Sequence, residues 1–264
     1  MARFDGKFIK GKVGRTVYKK YRNKQIIQEV PVFTASSHTE ASKSAAKTFG
    51  KASSLAMNLR DTLNPIITDF TDGQMVNRLN SEVVQILNQS KDVNTGTFKF
   101  DEYSFSRLNG FEFNQKSMVR NIFHARPELQ ATSSQLTISI PEIQLPKEFI
   151  FPKEIGSCMF SLGLGMFDLK HGRETFSTIQ TNDIKYEYKP GTVPAKQFNF
   201  EIEPGCLCIA VISLQFMRDT FAGKMFYNTI DFNPVAILKA FIAEGEVDPA
   251  KTKNWYEMDF KTAS

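Results

Sequence analysis

Cysteine, tryptophan and histidine are all scarce in this chain, which has three Cys, one Trp and three His among 264 residues. An odd and sparse set of cysteines argues against the disulfide framework of small secreted proteins. The histidines, His38, His124 and His171, stand alone, without the CxxC or HxxxH spacings typical of zinc sites. We therefore predict no disulfide scaffold and no metal site.

Long apolar runs are also missing. The longest candidate, residues 206–217, is shorter than the roughly 18 residues that a membrane-spanning helix needs. The N-terminus begins with Arg3, Asp5 and Lys7 and has no apolar segment of the kind found in secretory signals. We therefore expect no membrane insertion and a cytoplasmic location, with release by lysis or by a dedicated machine left open.

Motifs for nucleotide binding are incomplete. Residues 6–13 match the start of a phosphate-binding P-loop, but Val13 stands where a Ser or Thr hydroxyl would hold Mg²⁺. Gly163 and Gly165 begin like a dinucleotide-binding loop, yet Asp168 occupies the place of the third glycine. Glycine inside a strand more often marks a bulge or a close backbone approach. The sequence therefore predicts no cofactor and no small-molecule substrate.

The remaining candidates for chemistry are isolated. Cys206 and Cys208 share one face of a predicted strand, and together with Cys158 they are interpreted as small buried hydrophobic residues. His171 follows a predicted strand at a glycine turn and is interpreted as a surface histidine rather than a general base. We therefore predict no catalytic residue and a protein that is not an enzyme, while an enzyme of unfamiliar type stays open.

Charge is distributed unevenly along the chain. Residues 1–60 hold 13 Lys and Arg against 3 Asp and Glu, a net of +10, so the remaining residues carry −5 of the total +5. The first 24 residues are the densest part. Such a segment can neutralise nucleic acid, an anionic surface, or the acidic remainder of a neighbouring copy.

Residues 1–36 are predicted to form a basic β-hairpin arm. Two runs rich in β-forming residues flank the polar turn Arg22-Asn23-Lys24, and cations alternate along them. An isolated two-stranded hairpin is only marginally stable in water, so we expect it to dock on another surface.

Residues 37–92 are predicted to form an αα-hairpin. Apolar residues recur at spacings of three and four, which places them on one helical stripe. Ser37 or Thr39 is expected to cap the first helix, Pro65 to mark its break, and a second helix to begin after residue 72. The predicted stripe of the first helix comprises Ala45, Phe49, Ala52, Ala56, Leu59 and Leu63.

Residues 93–232 are predicted to form a β-sandwich domain. Many of the 24 Phe alternate with polar residues in short runs separated by Gly and Pro turns, which indicates an antiparallel sandwich or barrel. In residues 233–264, the run 234–243 fits a helix or a strand, with the helix favoured, and Trp255 and Tyr256 are expected to anchor the polar tail. The predicted fold class is α+β: an antiparallel β-sandwich body with an αα-hairpin and an N-terminal basic β-hairpin arm.

A resemblance supports this order of elements. Gly11-Lys12-Val13-Gly14, Val17-Tyr18 and the turn Arg22-Asn23-Lys24-Gln25 together resemble the start of a family of uncharacterised proteins common in Bacteroidota. In that family a basic hairpin precedes a helical segment and a β-sandwich-like second half, which implies helix at residues 45–63 and strands at 157–169 and 206–216. The resemblance implies no activity and no catalytic residue.

These observations lead to a functional hypothesis. We predict a non-enzymatic structural subunit that assembles with copies of itself into a particle, fibre or tube, by edge-strand addition of the basic arm. The alternative is a nucleic-acid-binding protein that places the same cations on phosphates, because aromatic residues are interleaved with them. In the predicted interface, Lys12, Arg15, Lys19, Lys20 and Arg22 steer the contact, while Val13, Val17, Ile26 and Ile27 are buried in it.

Overall fold

The computed structural model describes residues 2–30, 39–68, 70–92, 94–221 and 223–262. Backbone contacts divide the chain into two units, Met1–Ala46 and Lys47–Ser264. The division into segments at residues 36, 92 and 232 stays a prediction. Pro31 and the candidate cap Ser37 lie outside the described residues.

The described part of the N-terminal unit contains a four-stranded antiparallel sheet. Its strands are β1 (Arg3–Phe4), β2 (Ile9–Val13), β3 (Thr16–Tyr21) and β4 (Lys24–Glu29), and they lie in chain order. Arg22 and Asn23 form the two-residue turn between β3 and β4 with positive φ of 46° and 62°. This is type I′ geometry, whose twist matches that of the flanking strands. The predicted turn is confirmed at Arg22 and Asn23, whereas Lys24 already belongs to β4, and two further strands extend the hairpin into a sheet.

Two long helices follow, α1 (Glu40–Ile67) and α2 (Met75–Ser90). Thr39 caps α1, because its Oγ1 accepts a hydrogen bond of 3.1 Å from the Ser42 N–H. Pro65 lies inside α1, which continues for two residues beyond it and ends at Ile67. The predicted stripe is wrong at its N-terminal end, where Ala45 and Phe49 are exposed, and it begins at Ala52. From there the buried apolar residues are Ala52, Leu55, Ala56, Leu59, Leu63, Ile66 and Ile67.

The rest of the chain forms antiparallel sheets around two long central strands. The described residues contain β5 (Glu128–Ala131), β6 (Gln135–Ile140), β7 (Ile143–Leu145), β8 (Ser157–Asp168), β9 (Arg173–Phe176), β10 (Gln180–Lys185), β11 (Gly191–Val193), β12 (Lys196–Glu201), β13 (Leu207–Thr220), β14 (Gly223–Phe226), β15 (Val235–Ile242) and β16 (Tyr256–Glu257).

Strands β8 and β13 pair with each other along their length and form the centre of the main sheet. The other side of β8 pairs with β9 and β10, and the other side of β13 pairs with β15 and β14. Strand β16 adds to β9, while β5, β6 and β12 form a separate three-stranded sheet and β7 pairs with β11.

The central strands are buried on both faces. Alternate residues of β13 belong to two different cores: Leu207 and Ile209 pack with α1 and α2, whereas Ala210 and Ile212 pack with β6 and β12. The main sheet therefore lies between a helical layer and the three-stranded sheet. The α+β fold class is confirmed, with two packed helices and a curled antiparallel sheet.

The predicted helix at residues 234–243 is wrong. This segment is β15, which pairs with β13 on one side and receives hydrogen bonds from the Gly110 and Phe113 N–H groups on the other. Because both faces of β15 contact protein, its apolar residues form a nearly continuous run, and a short run of this kind has no period that separates strand from helix.

The C-terminal tail is held differently from the prediction. Tyr256 is 78% exposed, so it does not anchor the tail. Met258 and Phe260 are buried in the helical-side core, and Thr252 is fully buried. Among the described helices, none is both long and apolar enough to cross a membrane.

Candidate interface on the N-terminal sheet

The nine predicted interface residues are divided between the two faces of the N-terminal sheet and its turns. In the sheet register, Lys12 lies opposite Val17, and Lys19 lies opposite Ile26. Because side chains alternate across a strand, these four residues share one face. We call it the lysine face, and it comprises Lys10, Lys12, Val17, Lys19, Tyr21, Lys24, Ile26 and Gln28.

The second face carries the remaining strand residues of the predicted set. Val13 lies opposite Thr16, and Tyr18 lies opposite Ile27. Alternation places Lys20 on this same face. We call it the opposite face, and it comprises Val13, Tyr18, Lys20, Ile27 and Glu29. Arg15 and Arg22 lie in the two turns, so the structure does not gather the five predicted cations on a single surface.

Apolar side chains on both faces are open to solvent. Val13 is 56% exposed, Ile27 is 62% exposed and Ile26 is 37% exposed. A sheet usually buries one face against another layer, and large exposed apolar groups often mark interaction surfaces. These three positions are therefore suited to contact with another molecule.

The cations of the sheet have few carboxylate partners. Arg15 pairs with Glu29 at 3.5 Å, and both side chains are exposed. Lys20 Nζ lies 4.8 Å from the centre of the Phe8 ring, and the Arg22 guanidinium lies 5.3 Å from that of Tyr21. Within the described residues, Lys12, Lys19, Lys20 and Arg22 form no ion pair. Their charge remains available to an anionic partner.

Asp5 is the acidic residue in the connection between β1 and β2. A hydrogen bond from Lys10 and backbone N–H groups of Phe8 and Lys7 lower the pKa of Asp5 to about 2. The carboxylate therefore stays charged at neutral pH and compensates Lys10, to which it is joined at 2.8 Å.

Gln25 connects β4 to β2 across the sheet, a role that the sequence did not reveal. The Ile9 N–H donates to Gln25 Oε1 at 2.8 Å, and Gln25 Nε2 donates to the Ile9 carbonyl at 2.9 Å. One side-chain amide thus satisfies both backbone groups of Ile9. Gln25 therefore holds β4 in position relative to the start of β2.

The outer edge of β4 is open. The Val30 N–H bonds inward to the Arg15 carbonyl at 2.7 Å, so by antiparallel alternation Gln25, Ile27 and Glu29 direct their backbone groups outward. Within the described part of the chain, nothing bonds to these outward groups. An open edge of this kind is a template for another strand.

Gly163 and Gly165 serve packing. A Cβ on Gly165 would lie 2.8 Å from Leu63 Cδ2, and one on Gly163 would lie 3.0 Å from Ile66 Cδ1. Leu63 and Ile66 are on α1, so the glycines allow this helix to approach β8 closely. Gly163 also makes room for the Phe176 ring, 2.6 Å from the position of such a Cβ. The interpretation as a close backbone approach is confirmed at these two positions.

The three cysteines are buried and unpaired. Burial raises the pKa of the Cys158 and Cys206 thiols and raises the pKa of Cys208 to about 12. The thiols are therefore protonated and inaccessible in the folded protein. The described residues contain no cluster of three or more His, Cys, Asp or Glu suited to a metal ion.

His171 was predicted to be a surface histidine, but it is only partly exposed and contacts a buried carboxylate. Its Nδ1 lies 2.8 Å from Oδ2 of Asp168, which is fully buried. Asp168 also accepts a hydrogen bond of 2.9 Å from Thr252 Oγ1, which joins the tail to the end of β8. An oriented Asp–His pair can activate a nucleophile, but no described hydroxyl or thiol bonds to His171. The pair acts as a clamp on the tail.

A cleft of about 340 Å³ is lined by three arginines, two of which pair with carboxylates of the protein. Arg78 donates to Asp72 and to the Glu112 carbonyl, and Arg107 pairs with Glu82 at 2.9 Å. Glu112 is buried, which raises its pKa even though it accepts N–H bonds from Val119 and Arg120. We interpret this cleft as a stabilising network. The third arginine is Arg120.

The order of elements agrees with the one that the family resemblance implies: a basic sheet, two helices and a region of many strands. No family model, curated protein or solved structure matches the chain.

Proposed function

We propose that the protein is a structural subunit that assembles with copies of itself through its N-terminal sheet. The observation that carries this proposal is the open edge of β4, whose outward backbone groups accompany exposed apolar side chains, Ile26 and Ile27, on its two faces. A partner strand at this edge gains backbone hydrogen bonds and covers both isoleucines.

The apolar contribution is large enough to matter. Ile26 and Ile27 are 37% and 62% exposed, and covering them contributes roughly 1 kcal/mol apiece, or about 2 kcal/mol together. Alone, such a contribution is insufficient for a tight complex, since association has its own entropic cost. Backbone hydrogen bonds and charge must therefore add to it.

Charge favours the contact modestly. The unit Met1–Ala46 has ten Lys and Arg against three Asp and Glu, a net of +7, which leaves −2 for Lys47–Ser264. This difference in net charge is smaller than the one between residues 1–60 and the rest of the chain, because Lys47, Lys51 and Arg60 belong to the larger unit. Electrostatics therefore steers the encounter more than it holds the complex.

The experiment is light scattering coupled to size-exclusion chromatography on the full-length chain. We expect a multimer for the native sequence and its loss in the Ile27→Lys variant, because a lysine cannot be buried at the edge without a partner. Tyr103→Lys is the matched control, since Tyr103 is an exposed aromatic residue of the larger unit. A species of unchanged size in Ile27→Lys, or a native chain that is monomeric, would refute the proposal.

Nucleic-acid binding is the second candidate, and the lysine face favours it. Lys12, Lys19 and Lys24 share this face with Tyr21, an arrangement that combines phosphate contacts with a stacking surface. Filter binding to single-stranded DNA and RNA across salt concentrations tests it. If the face binds phosphates, the double variant Lys12→Gln/Lys19→Gln reduces the slope of log K against log salt by about 1.4, because each contact with a single strand contributes about 0.7. A native chain that shows no salt-dependent retention would exclude this function.

A further inference from the structure

A cluster of exposed apolar residues lies in β14 and in the turn before it. Met225 is 60% exposed, Phe226 is 65% exposed, and Phe221, in the turn between β13 and β14, is fully exposed. Strand β14 is the end strand of its sheet. Edge strands are usually protected against pairing, and an apolar, exposed one invites it.

The direction of the backbone groups of β14 follows from its pairing with β13. The Tyr227 N–H bonds inward to the Phe216 carbonyl at 2.8 Å. By antiparallel alternation Met225 also faces inward, while Lys224 and Phe226 direct their backbone groups outward. No described residue bonds to these outward groups. Strand β14 therefore presents two adjacent sites for a hydrogen-bonded strand pair.

Strand β4 presents outward groups at the same spacing, two residues apart, at Ile27 and Glu29. We propose that β4 of one copy adds in antiparallel orientation to β14 of a second copy, with Phe226 opposite Ile27 and Lys224 opposite Glu29. This inference rests on the proposed function, and it names the surface that receives the N-terminal sheet.

The register is selected by side chains as well as by hydrogen bonds. It places an aromatic residue against a β-branched one and a lysine against a glutamate, both favourable cross-strand pairs. A shift of two residues in one direction places Phe226 opposite Gln25 and Lys224 opposite Ile27, which loses both pairs. A shift in the other direction places Phe226 opposite Glu29. If the two strands were parallel, a register that places Phe226 beside Ile27 would place Lys224 beside Gln25, and the pair of Lys224 with Glu29 would be lost.

The match extends to the strands behind each edge. Met217 lies beside Phe226 in β13, and Tyr18 lies beside Ile27 in β3, so the pairing creates an apolar row of four side chains. Asp219 lies beside Lys224 in the same way, which places this lysine between two carboxylates, those of Asp219 and Glu29.

The contact is heterologous, because the donor strand and the acceptor strand are different parts of the chain. A heterologous contact generates a ring when its rotation closes and an open filament when it does not. In an open assembly one end copy retains a free β4 and the other end copy retains a free β14. The inferred contact therefore produces closed rings or open filaments of copies joined head to tail.

Disulfide trapping between single variants tests the register. In this register Gln28 lies opposite Met225 in a pair without mutual hydrogen bonds, the position at which cross-strand side chains are closest. Full-length Gln28→Cys carrying a tag is mixed with untagged Met225→Cys and oxidised mildly. Only a contact between copies joins the two, and the native cysteines are buried. We expect a mixed-tag disulfide dimer as the main product.

The control is Lys24→Cys mixed with Met225→Cys. Residue 24 is on the same face as residue 28 but four positions along the strand, about 13 Å away, so we expect little cross-linking. A dominant Met225→Cys homodimer would indicate two-fold pairing of β14 and would overturn the inference. Equal trapping of Lys24→Cys and Gln28→Cys, or no mixed product, would also overturn it.

Charge reversal provides a second readout in the full-length chain. Glu29→Lys places like charges opposite each other, and so does Lys224→Glu. We expect each to raise the concentration at which half of the chain is assembled by about fivefold. The double variant restores the pair between copies and recovers part of the loss, because the new carboxylate at position 224 still lies beside Asp219. Loss in both single variants without recovery in the double variant contradicts the pairing.

The two proposals fail separately. If Ile27→Lys abolishes assembly but no disulfide joins residues 28 and 225, the N-terminal sheet binds another surface, and only the acceptor is wrong. If Ile27→Lys leaves assembly intact, the proposed function itself is wrong.

Discussion

A buried amide network around Asn233 joins three separate segments of the larger unit. Asn233 is 2% exposed, and its Nδ2 lies within hydrogen-bonding distance of the Ile67 carbonyl at 3.1 Å, Thr68 Oγ1 at 3.2 Å and the Phe70 carbonyl at 3.3 Å. Its Oδ1 accepts a bond of 2.8 Å from Asn228. One side chain thus joins the end of α1 to the loop before β15.

The substitution Asn233→Ala removes this junction. An amide has two N–H groups, so at most two of the three donor contacts are full bonds at once, and the bond from Asn228 makes a third. At about 1 kcal/mol each, these bonds contribute about 3 kcal/mol to the free energy of unfolding, and the carbonyls left without donors increase the loss.

The assay is urea unfolding followed by the fluorescence of Trp255. With a slope of about 3 kcal/mol per molar urea, we expect the midpoint to fall by about 1 M. Asn121→Ala, at an exposed position, is the control and should change the free energy of unfolding by less than about 0.5 kcal/mol. Asn228→Ala combined with Asn233→Ala should cost less than the sum of the two, because they share a bond. If Asn233→Ala costs no more than the control, the reasoning is wrong.

Three further predictions concern the larger unit. Burial raises the pKa of Glu112, so the folded state holds this proton more tightly than the unfolded state does. The free energy of unfolding therefore falls as pH rises from about 4.5 through the raised pKa. Urea midpoints measured across pH should show this fall, and Glu112→Gln should flatten it. The three cysteines should not react with an aromatic disulfide reagent in the native state and should all react in denaturant. Gly165→Val should lower the free energy of unfolding by about 2 kcal/mol, because the new side chain collides with Leu63. In a double variant, Leu63→Ala should relieve part of that loss, and urea unfolding measures both.

Local features of the sequence were predictable because their causes are local. The polar Arg22-Asn23 pair favoured a turn, and the spacing of apolar residues favoured two helices, since each pattern depends on neighbours within a few positions. The strand β15 was not predictable in the same way. Its apolar run has no clear period, and only pairing with β13 and residues 110–113 makes it a strand.

The candidate interface shows the same limit. The division of its residues between two faces follows from a period of two, so the separation of Lys19 from Lys20 was implicit in the sequence. Which backbone groups of β4 and β14 face outward was not, because that depends on the partner strands. The clamp of Asp168 on Thr252 joins residues 84 positions apart and has no signal in the sequence.

Salt separates the two candidate functions more sharply than affinity does. If the sheet binds another copy through β4 and β14, most of the contact energy comes from apolar side chains and backbone hydrogen bonds, and the charges of the two units, +7 and −2, add little. Assembly should then change only a few-fold between about 50 and 200 mM salt, because exposed pairs such as Lys224 with Glu29 are weak and screened. Binding of the lysine face to nucleic acid should fall far more steeply over the same range, since each phosphate contact releases counterions. An assembly that dissolves as steeply with salt as nucleic-acid binding does would therefore assign the contact energy to charge and contradict edge pairing.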